Sequence, residues 1–135
     1  MKTKSIKHEI IFDALPDEVY NLLMNEELHS TFTGGEACIS NREGDGFTAY
    51  DGYITGKNVE LIPGEKIVQL WRAEEEGWPE DHFSMVVFTF TKQGKDKTKM
   101  LFEQSGIPEH KAAAIDKGWV EYYWEPMKRL LADMS

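Results

Sequence analysis

The C-terminal third of the chain contains the pattern that most restricts the fold. A segment rich in β-forming residues, Thr98 to Gln104, is followed by a break at Gly106-Ile107-Pro108. A long amphipathic segment then runs from about Lys111 to Met134. A strand, a break and one long helix predict a helix packed across a sheet, an arrangement that commonly encloses a cavity. The apolar stripe of this helix consists of Ile115, Trp119, Tyr123, Met127, Leu130 and Met134.

The preceding residues predict one strand, two short helices and a series of hairpin strands. Ser5 to Phe12 alternates apolar and polar residues, as in a half-buried strand. Pro16 suits the first position of a helix that runs to about Asn25, and a second helix covers Leu28 to Phe32. Further strands are expected at Ala37 to Ser40, Phe47 to Tyr50, Tyr53 to Ile62, Lys66 to Arg72 and His82 to Thr91. This order predicts an α+β fold in a single domain, residues 1–135.

Two single residues lead to specific structural predictions. Pro126 removes a backbone donor and predicts a bend of the long helix near Tyr122. Cys38 is the only cysteine, which excludes an intrachain disulfide and suits a reducing cytosol. We expect it to be a small buried hydrophobe.

The composition limits the kinds of partner that the chain is expected to bind. The 135 residues carry a formal net charge of -9, which disfavours nucleic acid because its phosphates would be repelled. The N-terminus lacks the apolar run of a signal peptide, and no stretch is long and apolar enough for a membrane span. These features predict a cytoplasmic protein.

Catalytic and metal-binding motifs are not recognisable. Cys38 could pair with His29 or His82 on paper, but no local motif supports a nucleophile and base. The four histidines lack zinc-type spacing, and the acidic run at Glu74-Glu75-Glu76 lacks a calcium-loop pattern. We therefore predict no catalytic residues, no metal and no cofactor.

The stripe of the long helix has two interpretations. It is either core packing alone or the helical wall of an apolar pocket that faces the sheet. Trp71 and Arg72 are alternatives on the opposite wall, because the inward face of their strand is not evident from the sequence. An inward Arg72 could pair with a ligand carboxylate. The candidate cavity residues are Tyr50, Trp71, Arg72, Met85, Phe88, Phe102, Gln104, Trp119, Tyr123 and Met127.

A series of short motifs, in order and at consistent spacing, resembles a known family. They are Asp51-Gly52, Ile54-Thr55-Gly56, Leu61-Ile62-Pro63, Ile67-Val68, Trp71-Arg72, Trp78-Pro79, His82-Phe83, Gly106-Ile107-Pro108, Gly118-Trp119 and Tyr122-Tyr123. The chain is similar to the C-terminal domain of the activator of heat shock protein 90 ATPase, in the START-like, birch-allergen-like (SRPBCC) superfamily. The resemblance covers nearly the whole chain from Ile6 and is most specific after Asp51.

The resemblance implies a helix-grip fold, in which a curved antiparallel sheet wraps around the long C-terminal helix. It also implies either a cavity for apolar ligands or contact with heat shock protein 90. The chain departs from the family at the loop Ala73 to Gly77, which is expanded, and at Pro126, where glycine is more usual. The separate N-terminal activator domain is also expected to be missing.

Three functions remain open at this point. The first is a non-enzymatic domain that binds a small apolar ligand in a closed cavity of roughly 300–1,000 Å³. The second is a co-chaperone-like activator that binds heat shock protein 90 and stimulates its ATPase. The third is an enzyme similar to the polyketide cyclases and aromatases of the superfamily, for which Gln104, Arg72 and His82 are the candidate polar groups.

Overall fold

The computed structural model describes residues 1–134, in which helices and strands follow the expected order. The strands and first two helices are β1 Thr3–Phe12, α1 Pro16–Met24, α2 Glu26–Thr33, β2 Gly46–Ala49, β3 Ile54–Ile62, β4 Lys66–Ala73, β5 Ser84–Gln93 and β6 Lys97–Pro108. After a 3-10 turn at Glu109–Lys111 come α3 Ala112–Trp119, a π-helical turn Val120–Trp124 and α4 Glu125–Met134. Residues 112–134 are called the C-terminal helix below.

The strands form one antiparallel sheet in the order β1-β6-β5-β4-β3-β2. Helices α1 and α2 connect β1 to β2, the strands at the two edges of the sheet. Buried apolar side chains of the sheet, of α1 and α2 and of the C-terminal helix form one core. The α+β helix-grip fold expected from the sequence is therefore confirmed. The domain limits at 1–135 stay a prediction, and Ser135 lies outside the described residues.

Local chemistry explains the first two elements. In β1, Ile10 and Phe12 are buried while Lys7 and Glu9 are exposed, as the alternation predicts. Helix α1 begins at Pro16, and a Glu18 carboxylate oxygen accepts a hydrogen bond from the Leu15 backbone N–H at 3.0 Å.

The expected strand at Ala37 to Ser40 is wrong. The segment makes only an isolated bridge between Cys38 and Thr48, because side chains of α2 take its other backbone donors. The Ala37 N–H donates to Ser30 Oγ at 2.9 Å, and the Ile39 N–H donates to Glu26 Oε1 at 2.9 Å. Ala37 occupies the inward position, so Cys38 is exposed rather than buried as expected.

The expected break at Gly106-Ile107-Pro108 lies inside a strand. β6 continues to Pro108, and Ile107 is fully buried. Gly106 has a φ of +77°, and the register against β1 shifts between Lys4 and Ile6. Glycine adopts this angle without steric cost, so the strand passes through a bulge instead of ending.

The C-terminal helix accommodates Pro126 with the π-helical turn that directly precedes α4. Pro126 has no N–H for the carbonyl of Tyr122, four residues earlier, and the Glu125 N–H bonds to the Val120 carbonyl, five residues earlier. The wider turn also alters the buried stripe. Leu131 is buried in place of Leu130, which is half-buried, and Met134 is exposed.

Candidate functional site

Aromatic side chains fill the layer between the C-terminal helix and the sheet. The rings of Trp119 and Trp124 stack with centroids 5.4 Å apart, and the Phe102 ring lies 4.5 Å from that of Trp119. Trp124 reaches this layer because the π-helical turn places residues five apart on the same face. Among the described residues the small cavity in this layer has a volume of only about 20 Å³. The closed cavity expected from the sequence is therefore absent from this layer, which the protein's own side chains fill.

A larger cleft of about 740 Å³ opens at the end of the sheet where β3 begins and β4 ends. The loop between β2 and β3 and the loop after β4 form one side, and the C-terminal helix forms the other. Its rim is accessible, since Tyr53 is 40% and Tyr122 is 51% exposed. The lining residues are Tyr50, Asp51, Gly52, Tyr53, Ile54, Trp71, Glu74, Glu75, Ala114, Ile115, Gly118, Trp119, Tyr122 and Tyr123.

The turn between β2 and β3 holds Tyr50 over the cleft in an unusual backbone conformation. Tyr50 and Asp51 have φ angles of 51° and 59°, in the left-handed region that side chains other than glycine rarely adopt. Asp51 Oδ1 accepts a hydrogen bond from the Glu36 N–H at 2.7 Å, and the Asp51 N–H donates to the Glu36 carbonyl at 2.9 Å. These bonds stabilise the turn. The Tyr50 ring thereby meets the Tyr122 ring edge-on, with centroids 5.9 Å apart.

Two carboxylates on the rim are held by fixed donors. Glu74 Oε1 accepts from Thr55 Oγ1 and from Arg72 Nε, both at 2.8 Å. The hydrogen bond from Thr55 and the charge of Arg72 lower the pKa of Glu74. Glu75 accepts a hydrogen bond from the Tyr53 hydroxyl at 2.6 Å and lies 3.4 Å from Lys111 Nζ. Burial, together with this bond to Glu75, raises the pKa of Tyr53, which stays protonated near neutral pH.

Tyr123 connects the cleft to a buried histidine. His29 Nδ1 lies 2.9 Å from the Leu23 carbonyl, to which it donates, so Nε2 accepts from the Tyr123 hydroxyl at 2.8 Å. Burial lowers the pKa of His29 to about 4 and raises that of Tyr123. Both groups are therefore neutral at neutral pH.

The structure divides the expected cavity residues into three groups. Tyr50, Trp71, Trp119 and Tyr123 line the cleft. Phe88, Phe102, Gln104 and Met127 are buried core residues that do not line it. Gln104 is part of a buried chain of hydrogen bonds: its Oε1 accepts from Trp119 Nε1 at 2.8 Å, and its amide donates to Ser84 Oγ at 2.9 Å.

Arg72 and Met85 lie outside the cleft. Trp71 is the inward residue of β4, and the neighbouring Arg72 therefore points to the other side. The Arg72 guanidinium donates to Glu74 and to the Pro79 carbonyl. Of the two alternatives left open by the sequence, Trp71 is therefore the inward residue. Met85 is 38% exposed.

Sequence reasoning missed Tyr53, Tyr122 and the rim carboxylates. Tyr122 follows Trp119 by three residues, a helical spacing that could have indicated it. Asp51-Gly52 was visible as a turn but not as part of a site. In residues 1–134 no group of three or more potential ligands could hold a metal ion, and no helix is long and apolar enough to cross a membrane.

The fold and the cleft define a helix-grip domain of the START-like class. Residues 13–132 match the family described as "Activator of Hsp90 ATPase homolog 1-like protein", and the chain belongs to this family.

Curated relatives agree with the family assignment. The chain is 35% identical over 117 residues to an activator of 90 kDa heat shock protein ATPase homolog from Dictyostelium discoideum, with 87% of this chain and 30% of the relative covered. It is 32% identical over 114 residues to homolog 1 from Homo sapiens, with 84% and 33% covered. The chain thus spans about a third of the length of these relatives.

A solved structure shows the same fold. The crystal structure of an HSP90 activator from Plasmodium falciparum superimposes with a TM-score of 0.89 at 20% sequence identity. The match covers 95% of this chain and 96% of that one.

Proposed function

We propose that this domain binds a chaperone of the heat shock protein 90 class and stimulates its ATPase. The main support is the family membership, together with 32–35% identity to relatives named as activators of that ATPase. The filled interior supports the same choice, because it removes the closed cavity on which the apolar-ligand hypothesis depended. The proposal includes the cytoplasmic location expected from the sequence.

The loop from Glu74 to His82, called the acidic loop below, is the contact surface that we propose. Glu74, Glu76, Glu80 and Asp81 are exposed along it. The 3-10 turn before the C-terminal helix fixes the backbone of the acidic loop: Lys111 Nζ donates to the Glu76 carbonyl at 2.8 Å, and His110 Nε2 donates to the Gly77 carbonyl at 2.9 Å. A loop that is already ordered loses little conformational entropy on binding, and its charge would steer a basic partner surface.

The experiment measures the ATPase turnover of the chaperone from the same organism during titration with this protein. A double variant, Glu76→Lys with Glu80→Lys, reverses charge in the acidic loop. We expect the concentration of the variant that gives half-maximal stimulation to be about tenfold higher than that of the wild type. The difference should be larger at low salt, where charges are less screened. The matched control, Glu65→Lys with Asp96→Lys, reverses two exposed charges at the opposite end of the sheet and should behave as the wild type.

Two results would contradict the proposal. An unchanged turnover, with no binding at about 100 μM, would exclude activation and be inconsistent with affinities of specific complexes. If both double variants reduce the stimulation equally, the protein still activates the chaperone, but the acidic loop is not its contact surface.

A second candidate function rests on the open cleft. Its volume of about 740 Å³ lies in the range of ligand sites, and Trp71, Trp119 and Ile115 provide apolar lining. This site would hold a small ligand in a cleft rather than in the closed cavity first expected. A thermal-shift screen of ligands tests it, and a Tm that no ligand raises would count against it.

The structure offers little support for an enzyme. Gln104, Arg72 and His82 do not line the cleft. Three lining groups have shifted pKa values. The pKa of Glu74 is lowered and those of Tyr53 and Tyr123 are raised, so each shift is away from neutral pH. A general acid or base works best when its pKa is near the working pH.

A further inference from the structure

We propose that the cleft is a binding site for a small organic cation with an apolar body, such as an arylalkyl ammonium ion. The proposal rests on the second candidate function, because it names the class of ligand for the same cleft, and unlike the chaperone contact it requires no protein partner. The proposal rests on tyrosine and tryptophan rings that lie beside carboxylates with free oxygen atoms.

The aromatic part of the site comes from three separate segments of the chain. Tyr50 from the β2–β3 turn meets Tyr122 from the C-terminal helix, with ring centroids 5.9 Å apart. Trp71 from β4 and Trp119 from α3 form the floor, with centroids 5.6 Å apart. The faces of such rings attract ammonium groups within about 6 Å of the centroid and also provide apolar contact for a hydrocarbon body.

The charged part of the site favours a cation over an anion. Asp51, Glu74 and Glu75 line the cleft, and no lysine, arginine or histidine is among its described lining residues. Arg72 pairs with Glu74 and Lys111 pairs with Glu75 from outside the lining, so three carboxylates and two cations leave one negative charge. Within residues 1–134 no hydrogen bond reaches Asp51 Oδ2 or Glu74 Oε2. These two atoms are available to accept bonds from an ammonium group.

The size of the cleft favours a separate small molecule as its occupant over a single side chain of a partner protein. The cleft volume of about 740 Å³ is in the range that encloses a whole drug-sized ligand. A single lysine side chain would leave most of that volume in contact with water. Phenylpropylamine would occupy only part of the cleft and serves as a fragment with the proposed chemistry, since it joins an aryl ring to a primary amine that is charged at neutral pH.

The test compares three probes of the same shape and different charge. Phenylpropylamine is cationic, phenylpropanol is neutral, and phenylpropionate is anionic. Binding is measured by isothermal titration calorimetry at about 50 mM salt and by tryptophan fluorescence, since Trp71 and Trp119 lie in the floor. We expect the amine to bind at least about tenfold more tightly than the alcohol, with no measurable binding of the anion.

Two pairs of variants locate the site. Asp51→Asn removes one charge but retains an oxygen for the Glu36 N–H and a residue that tolerates positive φ, so the turn should persist. We expect it to weaken amine binding about fivefold and to leave alcohol binding unchanged. Its control is Asp96→Asn, which removes a charge at the far end of β5. Tyr122→Leu should weaken amine binding about fivefold, whereas Tyr122→Phe keeps the ring and should not.

The outcomes separate this proposal from the chaperone contact. Equal binding of all three probes, or no binding of the amine at millimolar concentration, would overturn the cation site. Amine binding that neither Asp51→Asn nor Tyr122→Leu weakens would also overturn it. None of these results bears on the stimulation of a chaperone ATPase, which is measured without the probes.

Discussion

His29 should make the stability of the protein depend on pH in a range where most carboxylates are still ionised. His29 is 6% exposed and its pKa is about 4, against an ordinary value of 6.5. Between these values the unfolded chain binds a proton that the folded protein does not accept. Stability is therefore fully present above about pH 6.5 and is lost as the pH falls toward 4.

The magnitude follows from the two pKa values. Linkage gives a loss of about 2 kcal/mol between about pH 7 and about pH 5, and about 3 kcal/mol at about pH 4. The assay is urea denaturation followed by circular dichroism at each pH, for the wild type and for His29→Gln. Glutamine can donate to the Leu23 carbonyl but does not titrate. The difference in unfolding free energy between the two proteins should therefore shrink by about 2 kcal/mol from pH 7 to pH 5.

Tyr123→Phe is the matched control. It removes the hydroxyl that bonds to His29 Nε2 but keeps the aromatic packing around the ring. The pH slope should persist in this variant, since burial is the main cause of the lowered pKa. If the wild type and His29→Gln lose stability in parallel, the reasoning about His29 is refuted.

Two further predictions concern packing. Trp119→Ala should lower the free energy of unfolding by ~3–5 kcal/mol, measured by urea denaturation, because it removes a buried ring and leaves Gln104 Oε1 without its donor. A loss below about 1 kcal/mol together with weaker probe binding would assign Trp119 to the cleft alone. Gly56→Ala should cost ~3 kcal/mol or more, because its Cβ would lie 2.0 Å from the Leu70 carbonyl oxygen and 2.5 Å from the Phe47 ring. In Gly46→Ala, the control on the neighbouring strand, the new Cβ would lie 3.5 Å from the Gly56 carbonyl oxygen, which is an ordinary contact distance, and the change should cost less than about 1 kcal/mol. Equal losses in the two glycine variants would contradict the packing argument.

Local periodicity was sufficient for the order of elements. The alternation in β1 and the helical spacing after Lys111 depend on residues near one another in the chain, and both predictions are confirmed. The failures occurred where distant groups compete for the backbone. Ser30 and Glu26 hold the backbone donors of Ala37 and Ile39, so a sequence with strand character does not pair as a strand.

The site was less predictable than the fold. Trp119 and Tyr123 were identified because their size and helical spacing mark them as inward residues, whereas Trp71 was named only as an alternative to Arg72. Whether inward residues enclose a space or fill it depends on how their volumes fit together, which periodicity does not report. In this protein Trp124 fills much of that space, and it does so because of the π-helical turn before Pro126.

The sequence by itself therefore determined a strand–helix order, a helix-grip architecture and a family, because these depend on local patterns and on the succession of motifs. The tertiary structure decided that the interior is filled and that the available space is a cleft at one end of the sheet. It also decided that Tyr50, Tyr53 and Tyr122 share that cleft with Asp51 and Glu74. The physical reason is that these side chains meet only after the sheet and the C-terminal helix have packed together, and no local pattern encodes that meeting.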